Sequence, residues 1–238
     1  MSEPPHKNNL LLAALPVEDY TALTEHATIV SLKYSKQLYL QDAPIDSVYF
    51  PLNCVVSVLV GVTDGAKVEM ATVGNEGMIG FPAVLDVRRA LGTNVVQVPG
   101  DAVRLDASIL RDENDARPAV RRLMLRYLYA LMCQMVLAGS CNRLHSMEER
   151  CARWLLQTHD RVGKDTFPLT QEYLAQMLAV RRATVNVAIA ILKKAEFIRY
   201  VRGRITITDR LGLESAACPC YRVIRQEYER LSTYEGSR

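Results

Sequence analysis

The stretch LTQEYLAQMLAVRRATVNVAIAIL, residues 169–192, sets two adjacent arginines, Arg181 and Arg182, inside an otherwise apolar segment. Thr170 carries the short hydroxyl that caps a helix N-terminus, and Leu174, Met177 and Leu178 recur at the 3/4 spacing of one buried helix face. The pattern breaks at Ala179-Val180-Arg181-Arg182. A second one starts near Arg182, with Val185, Ile189 and Leu192 on one side and Arg182, Asn186 and Lys193 on the other. Two short helices joined by a tight turn, the second leading with polar side chains, follow the helix-turn-helix plan. In that plan the first residues of the second helix reach base edges in the DNA major groove.

Working outward, FIRYVRGRITITD (197–209) reads as two short strands around an Arg202-Gly203-Arg204 turn, a winged extension offering two guanidiniums to phosphates. The charge agrees with that placement. Residues 1–145 hold 13 Lys and Arg against 15 Asp and Glu, whereas residues 146–238 hold 16 against 11, so the basic excess is confined to the second part.

Upstream, a short amphipathic start with Leu11, Leu15 and Leu23 gives way to runs of β-formers: ATIVSLKY, KQLYL, SVYFPL, CVVSVLVGV, KVEMATV, TNVVQV and DAVRL. They are punctuated by QDAPID, TDG, GNEG and PGD, and many short strands at this spacing predict a barrel or sandwich. FPAVLDVRRAL (81–91) supplies at most one or two helical turns. From residue 117 to about 139, RPAVRRLMLRYLYALMCQMVLAG predicts one helix with Pro118 in its first turn. It has two apolar stripes: Val120, Met124, Tyr127, Leu131 and Ala138; and Leu125, Leu128, Met132 and Met135. One stripe is expected on the chain's own domain and one on a partner subunit; a single helix buried within a monomer is the alternative. Met124, Tyr127, Leu128, Leu131 and Met135 are the candidate dimerisation residues. SCNRLHS is read as a polar break, residues 147–159 as a further helix, and 160–168 as a loop.

With 49% apolar residues the chain supports a real core, and no window approaches eighteen uninterrupted apolar residues, so no membrane partner is expected. Residues 10–15 are too short for a signal h-region, and the expectation is a cytoplasmic protein. Six scattered cysteines predict reduced thiols. Cys218 and Cys220 lie close together, but without a second Cys pair or a neighbouring His they do not read as a zinc site, and no metal or other cofactor is expected. The Ser, His, Cys and acidic residues form no catalytic spacing, so the chain does not read as an enzyme.

On these residues the chain resembles the Crp/Fnr family of bacterial transcription regulators over roughly residues 15–212. Residues 169–198 resemble it most, in Thr170, Leu174-Ala175, Arg182 and Thr184-Val185. The resemblance implies an α+β fold: a β-roll of the cyclic-nucleotide-binding (jelly-roll) type at 1–116, a dimerisation helix at 117–141, and a winged helix-turn-helix with a C-terminal tail at 142–238. It implies double-stranded DNA, a second copy of the chain and RNA polymerase as partners. Arg182 corresponds to the base-reading arginine, Thr184 to a phosphate-contacting threonine and Gln171 to a backbone-contacting residue. With Thr170, Arg181, Asn186, Arg202 and Arg204 they make up the candidate DNA-binding set. Three positions depart: Arg181 where a small capping serine is usual, Ala183 at the acidic base-reading position, and Val187 where some members have a second arginine.

The sensory half departs further. Cyclic-nucleotide binders of this fold have Gly-Glu for the ribose and Arg-Ser or Arg-Thr for the phosphate. Here Gly80 is followed by Phe81, and Leu91 and Gly92 stand where the Arg-Ser pair belongs, with Arg88 and Arg89 nearby. Met132 and Met135 are apolar where such relatives offer hydroxyls. These eight residues form a degenerate effector pocket, and the β-roll is expected either to sense an unknown small molecule other than cyclic AMP or to have lost sensing. Residues 1–53 contain no cysteine for an iron–sulfur centre, and His26 and His145 read as ordinary residues rather than haem ligands. The competing function is a ligand-responsive module acting through protein–protein contact.

Overall fold

The computed structural model describes residues 5–61 and 67–232. The turn expected at 63–65, and the outermost residues of the first and last expected domains, lie outside them. Two short helices, α1 (Leu10–Ala13) and α2 (Val17–Thr24), lead into seven strands: β1 (Thr28–Leu32), β2 (Gln37–Tyr39), β3 (Ser47–Pro51), β4 (Val55–Gly61), β5 (Lys67–Val73), β6 (Thr93–Val98) and β7 (Gly100–Asp106). They form two antiparallel sheets, β1-β7-β3 and β2-β6-β4-β5. Every expected strand is present. Phe81–Leu85 is a single 3-10 helix, as short as the sequence predicts.

The sheets close over a core that includes Val48, Phe50, Val56, Val58, Val96 and Leu105, and α4 (Pro118–Leu144) seals it with Val120, Met124, Tyr127 and Leu131. Helix α4 is long and apolar enough to cross a bilayer by length and composition. Its inner stripe, however, is spent on the chain's own strands. Tyr127 donates to the Met78 carbonyl at 2.9 Å, and a Cβ at Gly77 would come within 2.5 Å of the Tyr127 ring. Glycine is required there because the ring fills the gap between strand turn and helix.

Three expectations need correction. The helix does not end near Gly139 or Asn142: SCNRLHS continues it to Leu144, and only His145 and Ser146 break it. Ser140, Cys141 and Asn142 are tolerated because the turn they complete packs on the chain's C-terminal helix. The loop at 160–168 contains a strand, β8 (Thr166–Pro168), which three residues of sequence could not signal. The tail is not a tail: it forms α8 (Arg210–Ala216) and α9 (Cys220–Ser232), with α9 packed along α4 and α1. Helix α3 (Ala107–Ala116), for which no element was expected, buries little beyond Ala107, Leu110 and Asn114 and so carries a weak pattern.

Helix α5 (Met147–Val162) starts with a capping box, in which Ser146 accepts from the Glu149 N–H and Glu149 accepts from that of Ser146. A second core forms around Trp154, Leu155, Phe167, Leu174, Val185, Ile189 and Ile205, and Leu59 of β4 joins it. The two halves are therefore in contact. Trp154 Nε1 donates to Glu69 Oε1 at 2.7 Å, Gln97 Nε2 to Thr158 Oγ1 at 3.4 Å, and Tyr173 and Ser57 share a hydrogen bond of 3.2 Å.

Candidate nucleic-acid interface

Helices α6 (Gln171–Met177) and α7 (Arg182–Lys194) meet at 109°, within the helix-turn-helix range. Thr170 caps α6 by accepting from the Tyr173 N–H at 3.1 Å. Its exit is a Schellman turn: the Val180 N–H donates to Ala175 O (3.0 Å) and the Ala179 N–H to Gln176 O (3.2 Å). Ala179 stands at φ 53°, a left-handed position where glycine is usual. Beneath this turn the buried Arg150 donates to Leu178 O at 2.7 Å, a cation placed on the carbonyl end of a helix.

Val185, Ala188, Ile189 and Leu192 bury one face of α7, which leaves Arg182, Ala183, Thr184, Asn186 and Val187 exposed along the other. Arg181 is the N-cap but makes no side-chain capping bond. The Thr184 N–H donates to Arg181 O at 2.9 Å, while those of Arg182 and Ala183, without an acceptor among the described residues, are left for an outside one alongside the hydroxyl of Thr184.

The wing is a three-stranded antiparallel sheet, β8-β10-β9, with β9 (Ile198–Val201) and β10 (Arg204–Ile207) joined by Arg202 at φ 45° and Gly203 at φ 73°. Two left-handed residues in a two-residue turn match the right-handed twist of the hairpin, hence the glycine. Leu169 N–H donates to Gly203 O at 2.9 Å, tying the wing tip to the segment before α6. Arg199, Arg202, Arg204, Thr166 and Thr206 line one shallow groove. Sequence reasoning missed Arg199, whose only signal was alternation on a strand too short to establish it. Arg181, Arg182, Arg202 and Arg204 are exposed, and none makes a side-chain hydrogen bond or ion pair among the described residues. Of the candidate set, Gln171 is half-buried and Thr170, Thr184 and Asn186 are exposed.

The effector residues are not gathered in this way. Gly80 (φ 88°) is wedged against Val48 and Ile45, Phe81 packs on the core, and Gly92 is buried, while Arg88, Arg89, Leu91 and Met132 are exposed and Met135 is half-buried. Arg89 lies 3.8 Å from Asp42, in solvent. Between the strands and α4 stand protein side chains: Gln134 donates to Thr72 O at 3.0 Å, and its Oε1 accepts from Arg161 (3.1 Å) and Tyr228 (2.9 Å). Arg161 also pairs with Glu76 at 2.7 Å, both nearly buried. A cavity of about 200 Å3 lies instead beside this junction, among α1, α5 and α9.

Two further expectations are corrected. Met124, Tyr127 and Leu131 do not form a dimer seam, because they are 0–1% exposed within one protomer. The outward stripe is Leu125 (47% exposed), Tyr129 (58%), Met132 (59%) and Val136 (67%), with Leu128 and Met135 on its edge. Nor are Cys218 and Cys220 without a neighbouring Cys or His, since Cys141 and His145 stand beside them.

Among ionisable groups at the contact between the halves, the enclosed carboxyl end of Glu69 is pushed up to about 7 by desolvation, against the Trp154 and Ser57 hydrogen bonds and the Arg153 and Arg161 charges. Burial likewise raises the Tyr173 hydroxyl.

Residues 149–216 match the Crp-like helix-turn-helix domain. A CRP-like cAMP-activated global transcriptional regulator of Mycobacterium tuberculosis (strain ATCC 25618 / H37Rv) is 26% identical over 197 residues, covering 79% of this chain and 87% of that protein. The structure of FixK2 from Bradyrhizobium japonicum superposes with a TM-score of 0.68 at 17% identity, covering 81% of this chain and 98% of that one. The c-di-GMP responsive global regulator CLP of Xanthomonas campestris gives 0.64 at 10% identity, covering 81% and 99%. The resemblance to the Crp/Fnr regulators therefore rests on a Crp-like helix-turn-helix domain, a sequence likeness along most of the chain and a shared fold.

Proposed function

We propose that this chain is a homodimeric, sequence-specific DNA-binding transcription regulator. The observation that carries it is the recognition face of α7, with Arg182, Thr184 and Asn186 exposed on a helix set at 109° to its partner and the arginine-lined wing groove beside it. Arg182 reads a base edge; Arg181, Thr184, Gln171 and the wing arginines hold phosphates. Residues 1–116 serve as the sensory unit, the long helix α4 as the dimer seam and residues from α5 onward as the DNA-binding unit. RNA polymerase contact and a cytoplasmic location follow from that role.

The dimer seam is the outward stripe of α4, whose Leu125, Tyr129, Met132 and Val136 follow the 4-3-4 spacing of one helix face. On the effector, the M. tuberculosis relative is described as cAMP-activated and the Xanthomonas one as c-di-GMP responsive, so fold alone does not name a ligand. Here Phe81 and Leu91 replace the carboxylate and guanidinium that a cyclic nucleotide needs, and each lost charge-assisted contact is worth about 1.5–3 kcal/mol. We infer that cyclic AMP is not the effector.

The test is a titration of labelled duplex DNA at several salt concentrations. A steep negative slope of log affinity on log salt supports phosphate neutralisation; a flat one supports the competing reading, a regulatory module that acts through protein contact. Millimolar cyclic AMP is expected to leave the melting temperature unchanged, whereas a ligand at 100 times its Kd adds about 2.7 kcal/mol. A saturable rise would return Arg88 and Arg89 to consideration as the phosphate clamp.

A further inference from the structure

Where α9 crosses the end of α4, four side chains with metal-binding atoms converge. Cys141 and His145 are four residues apart at the end of α4, hence on one side of it, and Cys218 and Cys220 flank Pro219 at the start of α9. One donor atom from each lies within 4.8 Å of all the others. Cys141 Sγ stands 3.4 Å from Cys218 Sγ, and Cys220 Sγ 3.8 Å from His145 Nδ1. A tetrahedral zinc ion with bonds of about 2.3 Å to sulfur and 2.0–2.1 Å to nitrogen holds two sulfurs about 3.8 Å apart, and a sulfur and a nitrogen about 3.6 Å apart. The Cys141–Cys218 and Cys220–His145 separations lie within about 0.4 Å of these values, and the 4.8 Å limit puts every other pair within about 1.2 Å of them, so side-chain adjustment of about an ångström closes the set around one ion.

The surroundings suit a closed structural site. All three cysteines are buried and His145 is half-buried, under a small apolar cover of Ile224, Leu137 and Tyr228. Three thiolates around a divalent ion leave a net charge of −1. Arg153, 6% exposed and with its Nε unpartnered among the described residues, acts on Cys141 as a neighbouring positive charge and supplies the compensating cation.

We propose that Cys141, His145, Cys218 and Cys220 bind one zinc ion that pins the start of α9 to the end of α4. Three thiol protons pass to solvent as the ion enters and four protein–metal bonds form, with no change of oxidation state. The pinned point adjoins His145 and Ser146, the joint between α4 and α5. The ion therefore sets the angle at which the winged helix leaves the long helix.

The full-length protein, reduced, stripped of metal and titrated with cobalt(II), should take up one ion per protomer. It should show thiolate-to-cobalt charge transfer and the intense visible bands of four-coordinate cobalt, both removed by one equivalent of zinc. Zinc should raise the melting temperature. Replacing both thiols of the second arm, Cys218→Ser with Cys220→Ser, should weaken zinc binding at least about a hundredfold, and His145→Ala at least about tenfold. Cys133→Ser, outside the cluster, should leave binding unchanged. The cobalt spectrum is read on the unaltered protein, so misfolding of a variant cannot decide the matter. No uptake under these conditions, a weak octahedral spectrum, unchanged affinity in the double serine variant, or a Cys141–Cys218 disulfide forming in the presence of buffered zinc would each overturn the proposal.

Discussion

Helices α7 and α4 differ in how far a spacing pattern decides orientation. In α7 the apolar face of Val185, Ile189 and Leu192 lies opposite the polar Arg182, Asn186 and Lys193, so its orientation follows even though Val187 and Ile191 stay exposed. In α4 two apolar faces compete, and the same reasoning ends with a tie. The structure breaks it by the size of the space to be filled: Tyr127 and Leu131 match the gap above the strands, whereas Met132 and Val136 are turned outward. An amphipathic helix reports its own orientation; a helix apolar all round reports only that it needs cover on both sides.

The largest effect should come from setting those two faces of α4 against each other. Leu131→Asp places a carboxylate in the protomer core and should cost more than about 4 kcal/mol, seen as loss of the cooperative thermal transition. Met132→Asp should leave the fold intact and dissociate the dimer in sedimentation at micromolar concentration. Dissociation by Leu131→Asp in a folded protomer would reverse the assignment of the faces.

Next in size is the junction where α4, α5, α9 and the turn after β5 meet. Glu76→Ala strands the Arg161 guanidinium, which is 6% exposed, without its carboxylate, and should cost about 3–5 kcal/mol in denaturant unfolding. A loss under about 1 kcal/mol would mean that Gln134 and the Gln157 carbonyl suffice to hold the charge.

Glu69 should make the contact between the two halves sensitive to pH. Its carboxyl lies near 7 in the folded chain against 4.5 in the unfolded one, so between these values the folded state holds more protons. Stability is therefore greatest below pH 4.5 as far as this group is concerned. It falls as pH rises to about 7, and the loss approaches about 3 kcal/mol. Glu69→Gln keeps an acceptor for Trp154 and should flatten that part of the profile, raising the melting temperature at pH 8. An unchanged profile would show that the carboxylate is solvated.

The smallest effects belong to α7 and the wing. Arg182→Ala should cost about 1–3 kcal/mol at the cognate site and relax the preference at one base pair per half-site, as read by selection from random duplexes at fixed salt. Arg202→Ala and Arg204→Ala should weaken all duplexes alike and reduce the salt slope by about one unit each. An unchanged base preference in Arg182→Ala would assign that arginine to the phosphate backbone.

From sequence alone came the seven strands, the capped helix pair with its exposed arginines, the two-strand wing and the length of the long helix to within one or two turns. Each is written in spacing over fewer than about thirty neighbouring residues, and local geometry makes such spacing decisive. Tertiary structure alone decided which stripe of α4 faces inward, that β8 completes the wing, and that Arg161 and Glu76 form a buried pair. It also decided that residues 210–232 fold back as helices, bringing Cys218 against Cys141, 77 residues away. Those features depend on which surfaces remain to be covered once the local elements exist, and no periodicity within a segment records the shape of the partner it will meet.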